Sequence, residues 1–143
     1  MGLLKTQYGT GKPIPMMYIA KSIAALFALT LLAFAALQFN DPDPVIWVSF
    51  YCLCAAIPLL ALANKFIRPL FWLTLALCVL ELVLSAPGAY NYYLHMEQEP
   101  LMQSMNPDKP YIEEAREFLG ALIAVVLVSL SALLARYTVN NNK

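Results

Sequence analysis

The chain has 143 residues, of which 61% are hydrophobic and 13% are charged, and its formal net charge is zero. Soluble domains carry roughly 25% charged residues, so this composition excludes an ordinary water-soluble fold and is typical of a membrane protein. The 9 basic residues are too few to form a nucleic-acid-binding surface. We therefore expect an integral membrane protein with no nucleic-acid partner.

Four apolar segments reach or approach the length of about 20 residues that a helix needs to cross about 30 Å of hydrocarbon. They predict an all-α fold, a polytopic antiparallel bundle of four transmembrane helices. The predicted transmembrane domain covers residues 17–137, with spans at 18–39, 44–63, 69–86 and 114–137. Outer loops are predicted at residues 40–43 and 87–113, and cytoplasmic tails at 1–16 and 138–143.

Charged residues separate by sign along this predicted arrangement. Seven basic residues fall on one side, and these are Lys5, Lys12, Lys21, Lys65, Arg68, Arg136 and Lys143. The nine acidic residues all fall toward the other side. Basic residues near helix ends mark the cytoplasmic side, so we expect both termini in the cytoplasm and the chain in the cell's inner membrane.

The first span carries small residues at helical spacing. Ala20, Ala24, Ala28 and Ala35 recur at steps of four and seven, which places them on one face of a helix. Small side chains let helix backbones approach closely inside a bilayer. We therefore expect this face to contact a neighbouring helix.

A short acidic loop, Asn40-Asp41-Pro42-Asp43-Pro44, separates the first two spans. Pro44 suits the first position of a helix, so Asp43 is expected to cap that helix by accepting a backbone N–H. Asp41 has no comparable structural role. Trp47 follows in the first turn, where aromatic side chains favour the boundary between headgroups and hydrocarbon, so the loop is expected at the outer surface.

The connector at residues 64–68 is short and basic, which predicts that the second and third helices are antiparallel neighbours. Glu81 lies within the third apolar segment. A carboxylate at membrane depth is costly and is a functional hypothesis by default. The alternative is a shallow side chain that reaches the surface or stays protonated.

The predicted loop after the third span is long and contains several tyrosines, and Pro100, Pro107 and Pro110 interrupt it. Loops of this length are uncommon in compact units and are usually functional or packed on a surface. We expect the segment either to lie on lipid headgroups or to cover the outer mouth of the bundle.

The fourth span opens with acidic residues, which complement the N-terminal end of the helix dipole. Glu113, Glu117, Gly120 and Ala124 fall on one face at steps of three and four. A face that is acidic at its start and small further on is expected to point into the bundle. This would bring Glu113 and Glu117 close to the Asp41 loop.

Two stretches of the sequence resemble transmembrane family 220. The first is Gln38–Pro44, which reads Gln-Phe-Asn-Asp-Pro-Asp-Pro and is followed by Trp47 and Tyr51. The second is Glu113–Phe118, which opens the last helix. The resemblance covers the chain from the first predicted helix to the fourth. It implies a small four-helix membrane protein, and it implies no particular reaction.

The acidic residues predicted on the outer side are the group of residues that could carry a chemical function. Carboxylates held close together repel unless a cation, a proton or an arginine offsets them, and a hard divalent cation would accept such an oxygen-rich set. Metal ligation is not expected, although Asp41, Asp43, Glu113 and Glu117 are its candidates. The alternative is local pairing of Glu113 and Glu117 with Arg116. The proposed outer cap comprises Asn40, Asp41, Asp43, Trp47, Glu81, Glu113, Arg116 and Glu117.

No catalytic residue and no cofactor are predicted. The one histidine, His95, falls in the long predicted loop, and the sequence has no nucleophile elbow, zinc-protease motif or phosphate-binding glycine loop. We therefore expect a protein without catalytic activity.

Two functions follow from these observations. The first, which we favour, is a structural or accessory subunit that docks on a larger membrane complex, with lipids and other membrane-protein subunits as partners. The alternative is an ion- or metal-handling protein, or an enzyme, that uses the outer carboxylate cluster with a bound lipid or divalent cation.

Overall fold

The fold is a bundle of four α-helices, seen in a computed structural model that describes residues 14–142. The helices are α1, Ile14–Leu37; α2, Pro44–Leu62; α3, Arg68–His95; and α4, Pro110–Asn141. A single 3-10 turn, Gln38–Asn40, follows α1, and the described residues contain no strand. Each helix has the length and apolar composition needed to cross a membrane. The predicted all-α, four-helix fold is confirmed.

Prolines set the first turns of three helices. Pro44 and Pro110 are the first residues of α2 and α4, and Pro69 is the second residue of α3. A proline ring fixes a helical φ and lacks an N–H that would have no partner at a helix start. Asp43 holds the N-cap position of α2, but its side chain makes no capping hydrogen bond, so the predicted cap is wrong. Its backbone carbonyl instead accepts from the N–H of Ile46 at 3.2 Å.

The connection between α2 and α3 turns at Asn64, whose φ is 53°. The N–H of Lys65 donates to the carbonyl of Leu60 at 2.8 Å, and the N–H of Asn64 donates to the carbonyl of Ala61 at 3.1 Å. This is a Schellman arrangement, and asparagine is one of the few residues that tolerate its left-handed backbone. It satisfies helix-end carbonyls that the edge of a bilayer would otherwise leave unbonded.

The central helix of the bundle is α4, because it contacts α1, α2 and α3, while α1 also packs along α2. In contrast, α3 packs mainly on α4 and touches α2 at few positions. One of these is a contact of 3.6 Å between the Sγ atoms of Cys54 and Cys78. The prediction that the second and third helices are close neighbours therefore holds only in part.

Small side chains line the surfaces along which the helices meet. On α1, Ala20, Ala24, Ala28 and Ala35 are all buried, which confirms the predicted contact face. The buried face of α4 includes Ala121, Ala124, Ser131, Ala132 and Ala135. Lipid is as apolar as leucine, so association of membrane helices depends on close packing of such small residues and not on removing apolar surface from water.

The two ends of the bundle differ in charge. We call the end where α1 and α3 finish and α2 and α4 begin the acidic end, and the opposite one the basic end. At the basic end, the Thr138 hydroxyl of α4 donates to the carbonyl of Ala61 of α2 at 3.1 Å. The Arg136 guanidinium lies 5.2 Å from the centre of the Phe66 ring. These contacts join α4 directly to α2 and to the connection that follows it.

The long connection is shorter than the sequence predicts. A loop was expected over residues 87–113, but α3 continues through Pro87 to His95 and α4 begins at Pro110. Only residues 96–109 connect the two helices. A proline inside a helix removes one hydrogen bond, and packing of α3 against α4 outweighs that loss here.

Helical structure also enters both predicted tails. Residues 14–16 already belong to α1, and α4 continues to Asn141. The remainder of the predicted N-terminal tail, residues 1–13, lies outside the described residues, as does Lys143.

We predict that Gly88→Ala weakens the contact between α3 and α4. A Cβ at residue 88 would meet both the Cβ and the carboxylate of Glu114 on the facing helix, so the helices must move apart. We expect the free energy of unfolding to fall by about 1–3 kcal/mol, although alanine favours a helix over glycine by about 1 kcal/mol. Thermal unfolding in mild detergent measures the change.

The matched control is Ala76→Ser, at an exposed position of the same helix. It should unfold like the unmodified protein. A Gly88→Ala protein as stable as this control would show that α3 does not depend on the close approach at residue 88.

Candidate functional site

A cavity of about 620 Å³ opens at the acidic end, between the last turns of α1, the first turns of α2 and α4, and the connection at residues 96–109. We call it the acidic-end cavity. Its polar lining comprises Gln38, Asn40, Asp41, Tyr51, Gln103, Glu113, Arg116 and Glu117. Its other lining residues are Phe34, Leu37, Trp47, Leu101, Met102, Met105, Leu119, Gly120 and Ile123. Pockets that bind small molecules have this size and this mixture of apolar walls with a few polar groups.

The predicted outer cap is only partly assembled around this cavity. Asn40, Asp41, Trp47, Glu113, Arg116 and Glu117 line it, as their spacing predicts. Asp43 and Glu81 do not line it. Asp43 is exposed at the start of α2, and Glu81 lies on α3, within electrostatic range of Glu117.

Tyr51 forms the floor of the cavity and is 3% exposed. Its ring packs edge-on against the rings of Phe34, at 5.5 Å between centroids, and Phe50, at 5.1 Å. The Trp47 ring lies 6.5 Å from it. Its hydroxyl rests directly against Gly120 of α4, where no larger residue would leave it room. The aromatic cluster and this glycine together fix the ring of Tyr51.

The Tyr51 hydroxyl makes no hydrogen bond to any residue between 14 and 142. The side chain is otherwise buried, so water or a ligand in the cavity is what can complete the hydrogen bonds of this hydroxyl. The cavity is the space from which a partner would reach this hydroxyl.

Arg116 is held by the residues beside it. Its Nη2 pairs with Glu113 one turn earlier on α4, and its Nη1 donates to the carbonyl of Gln103 at 2.9 Å. The alternative of local pairing with Arg116 is therefore confirmed for Glu113 and wrong for Glu117, which has no ion pair within residues 14–142. Adjacent residues of a helix point about 100° apart, which turns Glu117 away from the guanidinium.

Asp41 lies in the loop between α1 and α2, on the rim of the cavity. Burial raises the pKa of Asp41, the carboxylates of Glu113 and Asp43 raise it further, and the Arg116 guanidinium opposes the shift. The net direction is upward from the ordinary value of 3.8. The cavity therefore disfavours the negative charge of Asp41 when nothing neutralises it.

The connection at residues 96–109 covers one side of the cavity, as the second of its two predicted placements, over the outer mouth of the bundle, would have it. Lys109 forms an ion pair with Glu99, and the Tyr92 hydroxyl donates to the carbonyl of Glu99 at 3.0 Å. Bonds from Lys109 and Gln103 hold the pKa of Glu99 below its ordinary value, and the Glu99 carboxylate raises the pKa of Lys109. These bonds tie the connection to the end of α3 and the start of α4.

A second cavity of about 310 Å³ lies behind the connection. Glu113, Arg116 and Met105 line both cavities. The ion pair between Glu113 and Arg116 therefore stands in the wall that the two cavities share.

The carboxylates do not form a metal site in the described residues. Within residues 14–142, no three His, Cys, Asp or Glu side chains are close enough to hold one ion together. Asp41, Asp43, Glu113 and Glu117, the candidates named from the sequence, therefore do not converge as ligands. His95 lies outside the acidic-end cavity, where its Nδ1 is 2.9 Å from the carbonyl oxygen of Asn91.

Sequence reasoning missed several contributors to this site. Tyr51 was not predicted to line a site, and Gln103 and Met105 belong to a connection without periodicity. Gly120 was recognised as a small residue, but its contact with the Tyr51 hydroxyl was not predicted. The signal available in the sequence was the pairing of an aromatic residue near the start of one helix with a glycine near the start of another.

Four membrane-spanning helices, with a cavity of apolar walls and a few polar groups at one end, define a small polytopic α-helical membrane protein. The sequence model described as "Transmembrane family 220, helix" matches residues 26–133, and the chain belongs to that family. No solved structure matches the chain. The predicted resemblance is thus confirmed, and the matched region includes the residues of the cavity from Phe34 to Ile123.

We predict that Gly120→Ala destabilises the protein through the Tyr51 hydroxyl alone. A Cβ at residue 120 would collide with that hydroxyl, while the next atom of the ring, Cζ, lies at an acceptable 3.4 Å. We expect a net loss of about 1 kcal/mol, since the overpacking penalty exceeds the helix-propensity gain.

The double variant Tyr51→Phe and Gly120→Ala provides the control. Without the hydroxyl, Gly120→Ala should be neutral or slightly stabilising, which gives a coupling free energy of about 1–2 kcal/mol in the cycle. Equal costs of Gly120→Ala in both backgrounds would contradict the contact.

We predict that Asp41→Asn stabilises the protein at neutral pH. Because the folded-state pKa of Asp41 is raised, its contribution to stability is present at low pH and is lost as the pH rises through that pKa. The gain from Asn should be a few tenths of a kcal/mol at pH 7, since the site is partly screened by solvent, and it should vanish below about pH 4. Thermal unfolding at several pH values measures it, with the exposed Glu97→Gln as control. A destabilised Asp41→Asn protein at pH 7 would show that Asp41 has a partner that compensates its charge.

Proposed function

We propose that the protein is a membrane-embedded binding protein that holds a small amphipathic molecule in the acidic-end cavity. The observation that carries this proposal is Tyr51, a buried residue that lines the cavity and whose hydroxyl lacks a hydrogen bond within the described residues. A molecule with one polar end would complete this hydroxyl while its apolar part contacts the walls.

The position of the cavity favours an amphipathic occupant. Leu119 and Ile123 lie several turns inside α4, whereas Asp41 and Gln103 lie in the connections beyond the helix ends. The cavity thus extends from the apolar interior to the region of the headgroups. An occupant would match this gradient with its own apolar and polar ends.

The proposed role is binding without catalysis. Among the described residues that line the cavity there is no histidine, cysteine or lysine, and their only basic group, Arg116, is already paired with Glu113.

A second candidate is the accessory-subunit function inferred from the sequence. It is favoured by the position of α3 at the edge of the bundle, with Leu73, Leu80 and Leu84 exposed along its length. Such a face suits a neighbouring membrane helix as well as lipid. In this proposal the termini face the cytoplasm and the protein lies in the inner membrane, as the distribution of Lys and Arg predicts.

Native mass spectrometry of the protein released from its own membrane in mild detergent tests both candidates. We expect a retained small-molecule adduct in the unmodified protein and its loss in Ile123→Trp, which fills the cavity. Val126→Trp is the matched control, because Val126 is exposed on the same helix outside the cavity lining. The adduct should survive there.

An unmodified protein free of adducts, or an adduct equally retained by both tryptophan variants, would contradict binding in the cavity. A stoichiometric complex with another membrane protein in the same spectra would support the accessory function, and a lone chain would count against it.

A further inference from the structure

The acidic-end cavity holds more negative charge than its one cation offsets. Asp41, Glu113 and Glu117 face the same space as Arg116. Arg116 pairs with Glu113 through Nη2 and donates to the carbonyl of Gln103 through Nη1. Asp41 and Glu117 therefore line the cavity without an ion pair in residues 14–142.

Uncompensated carboxylates away from bulk water repel one another and attract a cation. Glu117 lies within electrostatic range of Asp41, Glu81, Glu113 and Glu114, and all of these groups carry the same sign. Burial and neighbouring carboxylates also raise the pKa of Asp41, so the negative charge of Asp41 is disfavoured as well. A single positive charge placed in the cavity would relieve these repulsions together.

The rest of the lining selects an organic cation over a bare metal ion. Metal ions need several oxygen ligands at once, and the carboxylates do not converge in this way within the described residues. Phe34 and Trp47 instead line the cavity with aromatic rings, and such rings attract ammonium groups through their π faces. Leu119 and Ile123 add an apolar wall.

We propose, building on the function proposed above, that the occupant is a monocationic amphiphile, an organic ammonium whose charge faces Asp41 and Glu117. Its apolar body contacts Trp47 and Ile123. The hydroxyl of the buried residue Tyr51, which has no hydrogen bond in residues 14–142, accepts from the ammonium or from a polar group beside it. Three carboxylates against one guanidinium disfavour an anionic ligand.

Two sources could supply the same ammonium chemistry. One is the amine headgroup of a membrane lipid, and the other is a free amphiphilic amine. Both would place a positive nitrogen near the rim of the cavity and apolar carbon deeper inside. The lining residues therefore fit either source, and the experiment must distinguish them.

Trp47 provides a reporter for the test, because the chain has 2 tryptophans and Trp72 is exposed on α3 outside the cavity lining. The full-length protein carrying Trp72→Phe is placed in nanodiscs of digalactosyldiacylglycerol, a neutral lipid without an amine. Its Trp47 emission is followed during titration with 4-phenylbutylammonium, 4-phenylbutanol and 4-phenylbutyrate, which share one apolar body and differ in charge.

We expect the ammonium to bind at least about tenfold more tightly than the alcohol, and the carboxylate more weakly than the alcohol. Adding Glu117→Gln or Asp41→Asn should remove most of the preference for the ammonium while leaving the affinity for the alcohol within about twofold. Adding Glu97→Gln, an exposed change outside the cavity, should leave the preference intact.

Equal affinities for the three compounds, or tighter binding of the carboxylate, would overturn the ammonium assignment while binding in the cavity still stands. If none of the three changes the emission of Trp47, and Ile123→Trp also retains every native adduct, both the assignment and the proposed function fail. A preference for the ammonium that persists in both carboxylate variants would also overturn the assignment.

A second set of nanodiscs, containing phosphatidylethanolamine, distinguishes the two sources. A fall of several-fold in the apparent affinity for 4-phenylbutylammonium, relative to the amine-free lipid, would identify the lipid headgroup as the natural competitor. An unchanged affinity would identify a free amine. Either result supports recognition of an ammonium, provided that the carboxylate variants abolish the preference.

Discussion

The bundle depends on the close approach of α4 to the three other helices. A membrane gives no gain for burying apolar surface between helices, so contact requires small side chains that bring backbones near enough for dispersion forces to act. Gly120, Ala124 and Ala135 provide that approach on α4, and Ala24 and Ala28 do so on α1. Larger side chains such as Leu130 and Leu133 are left on the outside, where lipid solvates them.

The acidic-end cavity arises from the same arrangement. The connections that follow α1 and α3 both lie at this end, and they bring Asp41 and Gln103 over the first turns of α4. The bond from Arg116 to Gln103 fixes the longer connection against α4, so its apolar side chains close one side of the space. A site made in this way combines polar groups at the surface with apolar walls below. This combination distinguishes it from the lipid-facing surface of the bundle.

Much of this structure follows from sequence because a bilayer restricts what a chain can do. Hydropathy alone gave the four helices, and helical spacing correctly placed Glu113 and Glu117 at the same cavity as Asp41. Contacts between distant segments were beyond such reasoning. Pro87 indicates the end of a helix locally, yet packing of Gly88 on Glu114 keeps α3 intact for two further turns.

Choices between nearby partners were also hard to predict. Glu113 and Glu117 are both close to Arg116 in sequence, and only the direction in which each side chain leaves the helix assigns the ion pair to Glu113. Asp43 has the right residue type and position to cap α2, but the geometry of its side chain leaves that bond unmade. The burial of Tyr51 depends on two helices meeting, and no pattern within one helix encodes it.

The hydrogen bond from Thr138 to Ala61 has a mechanical consequence for the molecule. It ties α4 to α2 far from the cavity, and in a medium without competing water such a bond has few alternatives. Helices α2 and α4 are thus bonded to each other at the basic end, whereas the acidic-end cavity opens between their first turns. A molecule that enters the cavity would leave this bond in place, because the bond lies at the opposite end of the bundle.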